Sequence, residues 1–151
     1  MRFVAIPTET VRAYQRGGPD ANGQVPEPVV SDDGGNPCRH CLQMIPKGAA
    51  MLVLAHCPFS ALQPYAELGP IFLSADGCEA GGSEGLPKIL ASPDSILRGY
   101  GADDRIAYGT GAVVPSGRIV AEAAARFGDA RIAYVHVRSA RNNCYQVRID
   151  R

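Results

Sequence analysis

Most hydrophobic positions along the chain fall into short runs with the spacing of β-strands. The most strongly apolar run is "AAMLVLAHC" at 49–57, and a nearly continuous apolar run of this length predicts a strand buried on both faces. Shorter runs, bounded by Gly, Pro, Asn, Asp or Ser, predict further strands. They lie at 1–7, 65–75, 95–101, 105–114, 131–138 and 144–149.

Two other segments repeat their hydrophobic positions at helical spacing. The first predicts a helix over about 9–16, with Thr8 as its N-cap. The second predicts a helix over about 117–127, which Ser116 caps and Gly128 ends. The apolar stripe of this second helix consists of Ile119, Val120, Ala123, Ala124 and Phe127.

The order of these elements predicts an α+β fold in a single domain covering 1–151. We expect a mostly antiparallel sheet, curved or barrel-like, flanked by the two helices. Residues 17–37 contain five Gly and four Pro, and this composition predicts a long loop.

The last two predicted strands form a hairpin with two chemically different faces. Because side chains alternate along a strand, one face would carry Ala133, Val135, Val137, Tyr145, Val147 and Ile149. The opposite face would carry Tyr134, His136, Arg138, Cys144, Gln146 and Arg148. This polar face is rich in hydrogen-bond donors and has no carboxylate, so it is suited either to an anion or to solvent.

Charge and composition exclude some classes of protein. The chain has 15 basic and 15 acidic residues, and this balance argues against a general nucleic-acid-binding protein. It has no apolar run long enough to span a bilayer, and its N-terminus "MRFVAIPTET" does not resemble a signal peptide, so we expect a cytoplasmic location and no membrane partner. The five cysteines are an odd number, which favours free thiols over a disulfide framework.

The segment "GGNPCRHCLQ" at 34–43 concentrates the candidate chemistry and leaves three interpretations open. The first is zinc, held by Cys38, Cys41 and Cys57, with Cys78 or His136 as a fourth ligand. The second is a redox pair in the C-x-x-C motif. The third is a single reactive thiol at Cys38, activated by a neighbouring histidine. Nothing else in the sequence indicates a cofactor, and no known cofactor-binding motif is present.

An anion pocket is the interpretation that uses the most polar residues. In it, Cys38 and His136 would be catalytic, with His136 as the acid–base partner of the thiol. Arginines bind carboxylate or phosphate with two parallel hydrogen bonds, and tyrosines could line such a pocket. The candidate ligand-binding residues are Arg39, Tyr65, Arg98, Tyr100 and Arg138.

Several segments resemble, in order, the bacterial family called domain of unknown function 1203. They are "PCRHCL", "PF" at 58–59, "PYAELGPIF" at 64–72, "LRGY" at 97–100 and "YVHVRSARNNCY" at 134–145. The resemblance implies no activity or cofactor. It implies that Pro37, Cys38 and Arg39 belong to the most regular motif of the family and that position 41 is more variable. It therefore points to Cys38, Arg39, Arg98, Tyr100, His136 and Arg138 rather than to a zinc site shared by the whole family.

Two functional hypotheses follow. The first is a small cytoplasmic domain whose Cys/Arg/His pocket binds an anionic small molecule, with thiol-dependent catalysis as its extension. The alternative is a non-catalytic interaction module whose Cys/His cluster is structural, with zinc as the candidate metal. The sequence leaves the substrate and the oligomeric state open.

Overall fold

The computed structural model describes residues 1–82 and 85–151. Within them lie ten strands and two α-helices. In chain order these are β1 (Arg2–Val4), α1 (Thr8–Gln15), β2 (Glu27–Val30), β3 (Asn36–Pro37), β4 (Met44–Ile45), β5 (Ala50–His56), β6 (Gly69–Ser74), β7 (Asp94–Tyr100), β8 (Ala112–Pro115), α2 (Ile119–Arg126), β9 (Tyr134–Ser139) and β10 (Tyr145–Asp150). Short 3-10 turns occupy Lys88–Leu90 and Ser116–Arg118.

The strands form antiparallel sheets, as the sequence predicts. The larger sheet has the order β1-β10-β9-β7-β8, and a second sheet has the order β2-β5-β6. Strands β3 and β4 form a separate two-stranded ribbon. The α+β prediction is therefore confirmed, although the sheets are open and do not close into a barrel.

One face of the larger sheet packs against α2. The cluster combines Val135 and Val137 of β9 and Ile149 of β10 with Ile119 and Ala123 of the helix, and all five are almost fully buried. Burying each of the larger aliphatic side chains stabilises the fold by about 1.5–3 kcal/mol. Val120 and Ala124, placed on the same stripe by the sequence, are exposed, so the contact face of the helix is narrower than predicted.

A second apolar cluster joins α1 to the three-stranded sheet and to one end of the larger sheet. Val11 of α1, Leu54 of β5, Leu73 of β6 and Tyr145 of β10 all belong to it. The other face of the larger sheet is therefore covered by protein as well. This arrangement buries a polar face that the sequence leaves free to meet solvent.

The Gly- and Pro-rich segment 17–37, predicted as a loop, contains strands β2 and β3. Strand β2 pairs with β5 from Glu27 opposite Val53 to Val30 opposite Ala50. It lies at the edge of its sheet, where Pro28 is tolerated because edge strands leave part of their hydrogen bonding unused. The proline content of this segment therefore predicts a loop where the structure has an edge strand.

The predicted helix caps have other partners. Neither helix has a side-chain cap. Thr8 is the first residue of α1, and its hydroxyl is hydrogen-bonded to His40. The Ser116 hydroxyl donates to the carbonyl of Ser92, and α2 begins at Ile119 after a 3-10 turn.

A β-bulge changes which side chains of β10 share a face. The register between β10 and β9 shifts between Tyr145 and Val147, so Tyr145 lies directly opposite Arg138. Tyr145 therefore joins the polar face instead of the apolar face predicted for it. Its ring lies 5.0 Å from that of His136, centroid to centroid.

None of the described helices is both long enough and apolar enough to cross a membrane.

Candidate functional site

Three cysteine thiols meet beside the ribbon formed by β3 and β4. The Sγ atoms of Cys38, Cys41 and Cys78 all lie within 4.8 Å of one another. Cys38 directly follows β3 and forms a parallel bridge with Phe72 of β6, which fixes the turn against the second sheet. We call Cys38, Cys41 and Cys78 the thiol cluster.

The turn that presents the first two thiols is tightly constrained. The Leu42 N–H donates to the Cys38 carbonyl at 3.0 Å, and Leu42 has a φ of 57°, which lies in the left-handed region. A leucine in this conformation costs on the order of 1 kcal/mol or more, which burial of its side chain offsets. Such strain is concentrated at functional sites, so the turn is a candidate for a constrained metal-binding loop.

The third thiol is brought to the turn by residues 78–82. The Gly81 N–H donates to the His40 carbonyl at 2.7 Å. A Cβ atom at position 81 would lie 2.3 Å from the Cys41 carbonyl oxygen, so only glycine fits this approach. Gly81 therefore lets the two segments lie close enough for Cys78 to reach the other thiols.

His40 is buried directly beside the thiol cluster. Its Nδ1 lies 3.2 Å from the Cys78 Sγ atom, and its Nε2 lies 3.0 Å from the Thr8 hydroxyl oxygen. It does not belong to the group of atoms that all lie within 4.8 Å of one another. Histidines that bind metals commonly use one ring nitrogen for the metal and hydrogen-bond the other to a neighbouring group. His40 has the same two kinds of contact, one to a thiol and one to a hydroxyl.

The thiols have different proton affinities. Hydrogen bonding with the Cys41 thiol lowers the pKa of Cys38 to about 4, and the Ser74 N–H, 3.3 Å from the Cys38 sulfur, lowers it further. The same interaction raises the pKa of Cys41, while burial raises the pKa of Cys78. Burial also lowers the pKa of His40, which favours its neutral, metal-binding form.

This donor set suits a soft divalent ion. Zinc binds thiolates at about 2.3 Å in a tetrahedron, which places neighbouring sulfurs about 3.8 Å apart. Thiols within 4.8 Å of one another need only a small contraction to reach that geometry. Binding would replace thiol protons with the metal, so the positive charge of the ion would favour the thiolate form of Cys41 and Cys78 despite their raised pKa values.

The other two cysteines lie outside the cluster. Cys57, which the sequence pairs with Cys38 and Cys41, instead lines a cavity beside α1. Cys144 lies before β10, and its thiol is 3.6 Å from the Asn142 carbonyl oxygen. The sequence predicts Cys78 only as a fourth ligand, and it lies 37 residues after Cys41. The glycines that follow it, "CEAGG", are the sequence feature that could have identified it.

The polar face of the larger sheet is a buried aromatic layer centred on His136. Its ring lies 4.7 Å from that of Tyr100 and 5.0 Å from that of Tyr134, and Phe59 covers it at 5.3 Å. Neither ring nitrogen of His136 has a hydrogen-bond partner among the described residues. Burial, followed by nearby arginine charge, holds the pKa of His136 well below its ordinary value, so the ring is neutral.

Two predicted anion-binding arginines of this layer are paired with one carboxylate. Arg98 Nη1 donates to both carboxylate oxygens of Glu67 at 3.0 Å, and Arg138 Nη1 lies 3.2 Å from Glu67 Oε2. The Arg138 Nε donates to Asn143. Tyr100 is fully buried, with its hydroxyl 3.4 Å from Arg98. Glu67 therefore occupies the position that an anionic ligand would take between the two arginines.

The two remaining predicted ligand-binding residues lie apart from that pair. Arg39 is buried, and it donates from Nε to the Tyr145 carbonyl at 3.0 Å and from Nη1 to the Pro37 carbonyl at 2.6 Å. Tyr65 lies near the surface, with its hydroxyl 3.3 Å from that of Tyr108. Arg39 thus connects the cysteine turn to β10.

The structure places the two predicted catalytic residues in separate groups. The described hydrogen bonds of the Cys38 thiol come from its own turn and from Ser74, whereas His136 contacts aromatic rings of the larger sheet. No described hydrogen bond joins Cys38 to His136. The histidine that lies beside the thiols is His40.

Taken together, the fold and the thiol cluster define an α+β protein with three cysteine thiols close enough together to hold a metal ion. Residues 35–151 match the model of the family described as Protein of unknown function (DUF1203), and the chain belongs to this family. The resemblance read from the sequence is therefore confirmed. Comparison with the curated proteins and with the solved structures gave no match.

Proposed function

We propose that the chain is a zinc-binding protein in which Cys38, Cys41 and Cys78 hold the metal as thiolates. One observation carries this proposal: three thiols from two separate segments converge within 4.8 Å. Without a metal only Cys38 ionises readily, because its thiolate opposes ionisation of Cys41 and Cys78. A divalent cation bound between the three sulfurs would attract each thiolate and so stabilise all three in the ionised form.

His40 is the fourth ligand in this proposal. A modest shift of its ring would bring Nδ1 to the metal while Nε2 keeps its hydrogen bond to Thr8. Four protein ligands would complete a closed tetrahedral site of the structural kind. The buried positions of Cys38 and His40 also favour a structural role, because they leave little room for a substrate.

The site therefore favours the interaction-module hypothesis, with Cys78 in place of Cys57. The metal would add a further link between two segments that are distant in the sequence, the turn at 38–42 and the stretch at 78–82, which the Gly81–His40 hydrogen bond already joins. The anion pocket with thiol-dependent catalysis remains a prediction. It requires Cys38 to react rapidly and selectively with an alkylating reagent at neutral pH.

Cobalt titration of the reduced, metal-free protein tests the proposal, because tetrahedral cobalt thiolate sites absorb strongly in the visible and near ultraviolet. We expect a 1:1 complex that zinc displaces. Cys78→Ser should weaken cobalt binding by about a hundredfold or more, and His40→Gln by about ten- to a hundredfold. Cys144→Ser is the matched control, since it removes a thiol outside the cluster. Absence of a cobalt complex, or equal losses in Cys78→Ser and Cys144→Ser, would refute the assignment.

A further inference from the structure

A cavity of about 480 Å³ lies between α1, residues 56–60 and strand β10. None of the three cysteines of the thiol cluster lines it, so it is separate from the metal site proposed above. Its volume is within the range of small-molecule sites. Such sites are mostly apolar, with a few polar groups that orient the ligand.

Four aromatic rings line this cavity. They belong to Tyr14 of α1, His56 at the end of β5, Phe59 in the following loop and Tyr145 of β10. The ring of His56 lies 6.5 Å from Tyr14 and 5.8 Å from Tyr145, centroid to centroid. Four aromatic side chains favour a flat ligand, because their ring faces and edges can contact it while few side-chain torsions have to be fixed.

His56 supplies a polar group without a protein partner. The residue is 8% exposed, and its Nδ1 is buried with no hydrogen bond among the described residues. A buried polar atom that stays unpaired costs on the order of 1–3 kcal/mol, so pairing this imidazole with a group of a ligand would be favourable. Burial, followed by the charge of Arg39, lowers the pKa of His56 to about 4, so the ring offers a neutral donor and acceptor near neutral pH.

Arg148 supplies the charged group of the cavity. Its Nε donates to Asp150 Oδ1 at 2.5 Å, and its guanidinium lies 3.9 Å from the centre of the Tyr134 ring. Its two terminal nitrogens have no acceptor in the part of the chain that the structure describes. Arg39 and Arg98 contrast with it, because the Nη1 of each donates to the Pro37 carbonyl or the Glu67 carboxylate, and Arg138 Nη1 lies 3.2 Å from Glu67 Oε2.

A guanidinium held at Nε by one carboxylate and stacked on a ring is pre-oriented for a second acceptor. Its terminal N–H groups match the two oxygens of a carboxylate, and such charge-assisted pairs are stronger than neutral hydrogen bonds. Asp150 offsets part of the positive charge and so favours a ligand with a single negative charge over a dianion.

We propose that this cavity binds a small planar carboxylate, an aromatic or heteroaromatic acid, whose carboxylate pairs with Arg148 and whose ring packs among Tyr14, Phe59 and Tyr145. The His56 imidazole forms a hydrogen bond with a neutral polar group of the same ligand.

Two-dimensional NMR of the nitrogen-15-labelled protein tests this proposal, with benzoate and indole-2-carboxylate as probes. Benzamide is the neutral planar control, and cyclohexanecarboxylate is the non-planar anionic control. We expect saturable shifts at residues 4–14, 56–60 and 145–150 with the two planar acids at millimolar concentration. Both controls should bind at least about tenfold more weakly.

Variants separate the proposed site from surface binding. Arg148→Gln should weaken binding of indole-2-carboxylate by about tenfold or more, whereas Arg131→Gln, which changes an arginine outside the cavity, should leave it unchanged. Thr10→Leu narrows the cavity from α1 without changing charge, and it should also weaken binding. The proposal is overturned if neither acid binds, if the shifts map elsewhere, or if Arg148→Gln and Thr10→Leu both bind as the wild type does.

Discussion

Acidification should destabilise the folded protein through its buried histidines, and His56 gives the clearest measurement. The ordinary pKa of this imidazole is 6.5, and burial lowers it to about 4 in the folded protein. Between these two values the unfolded chain binds more protons than the folded chain. Stability from the neutral ring is therefore complete above about pH 6.5 and is lost as the pH falls towards about 4.

The magnitude follows from the same two pKa values. The gap between 6.5 and about 4 corresponds to about 3 kcal/mol when fully expressed. Between about pH 7 and about pH 4.5, His56 alone should remove about 2 kcal/mol from the free energy of unfolding. His136, whose pKa is lowered in the same direction, adds to the loss.

The assay compares the wild type with His56→Phe, which keeps a flat ring between Tyr14 and Tyr145 and removes the titrating group. Urea unfolding at each pH gives both free energies of unfolding. Their difference removes the pH dependence of metal binding and most of that of His136, since the charge of His56 contributes less to the lowered His136 pKa than burial and the neighbouring arginines do. We expect the wild type to lose about 2 kcal/mol more than His56→Phe over this interval. Parallel pH profiles would refute the claim that His56 is neutral because it is buried.

Three further predictions concern the supports of the two sites. Gly81→Ala should lower stability by about 2 kcal/mol or more and weaken metal binding, because a Cβ there would lie 2.3 Å from the Cys41 carbonyl oxygen. Gly117→Ala, whose added Cβ would meet nothing within 4 Å, is the control, and unfolding curves with zinc titration are the measurement. Glu67→Gln should lower the free energy of unfolding in urea by about 1–3 kcal/mol, since Arg98 and the buried Arg138 lose their shared carboxylate. Glu27→Gln, on an exposed edge strand, is the control, and an equally small loss in both variants would contradict this pairing. Thr8→Val should weaken zinc binding by about tenfold, because the Thr8 hydroxyl orients the His40 ring, while the far-ultraviolet circular dichroism stays unchanged. A zinc affinity equal to that of the wild type would show that His40 does not depend on this hydrogen bond.

The alternation and helical periodicity in the sequence were sufficient to predict the central elements of the fold. The buried strand at β5, the helix at α2 and the final hairpin all occur within a few residues of their predicted positions. Edge strand β2 was missed, because its pairing with β5 depends on tertiary contact and its composition favours a loop. The face of Tyr145 was predicted wrongly, because a β-bulge leaves no mark in the alternation of side chains.

The candidate site was only partly predictable from the sequence. The C-x-x-C spacing indicated Cys38 and Cys41, since both lie in one turn. Cys78 could not be assigned, because its position depends on how residues 78–82 fold back over His40. The polar alternation in β9 identified His136 and Arg138 but could not show that Glu67 and an aromatic layer bury them. The single-domain organisation and the cytoplasmic location remain predictions.

Native mass spectrometry of freshly purified protein, prepared without chelator, tests the central claim most directly. The account predicts a mass increase equal to one zinc ion less the protons it displaces, and this increase should disappear on denaturation in acid. Cys78→Ser should lack it, while Cys144→Ser should retain it. A wild-type chain of bare mass that stays bare after incubation with zinc, with five free thiols on denaturation, would contradict a metal site at Cys38, Cys41 and Cys78.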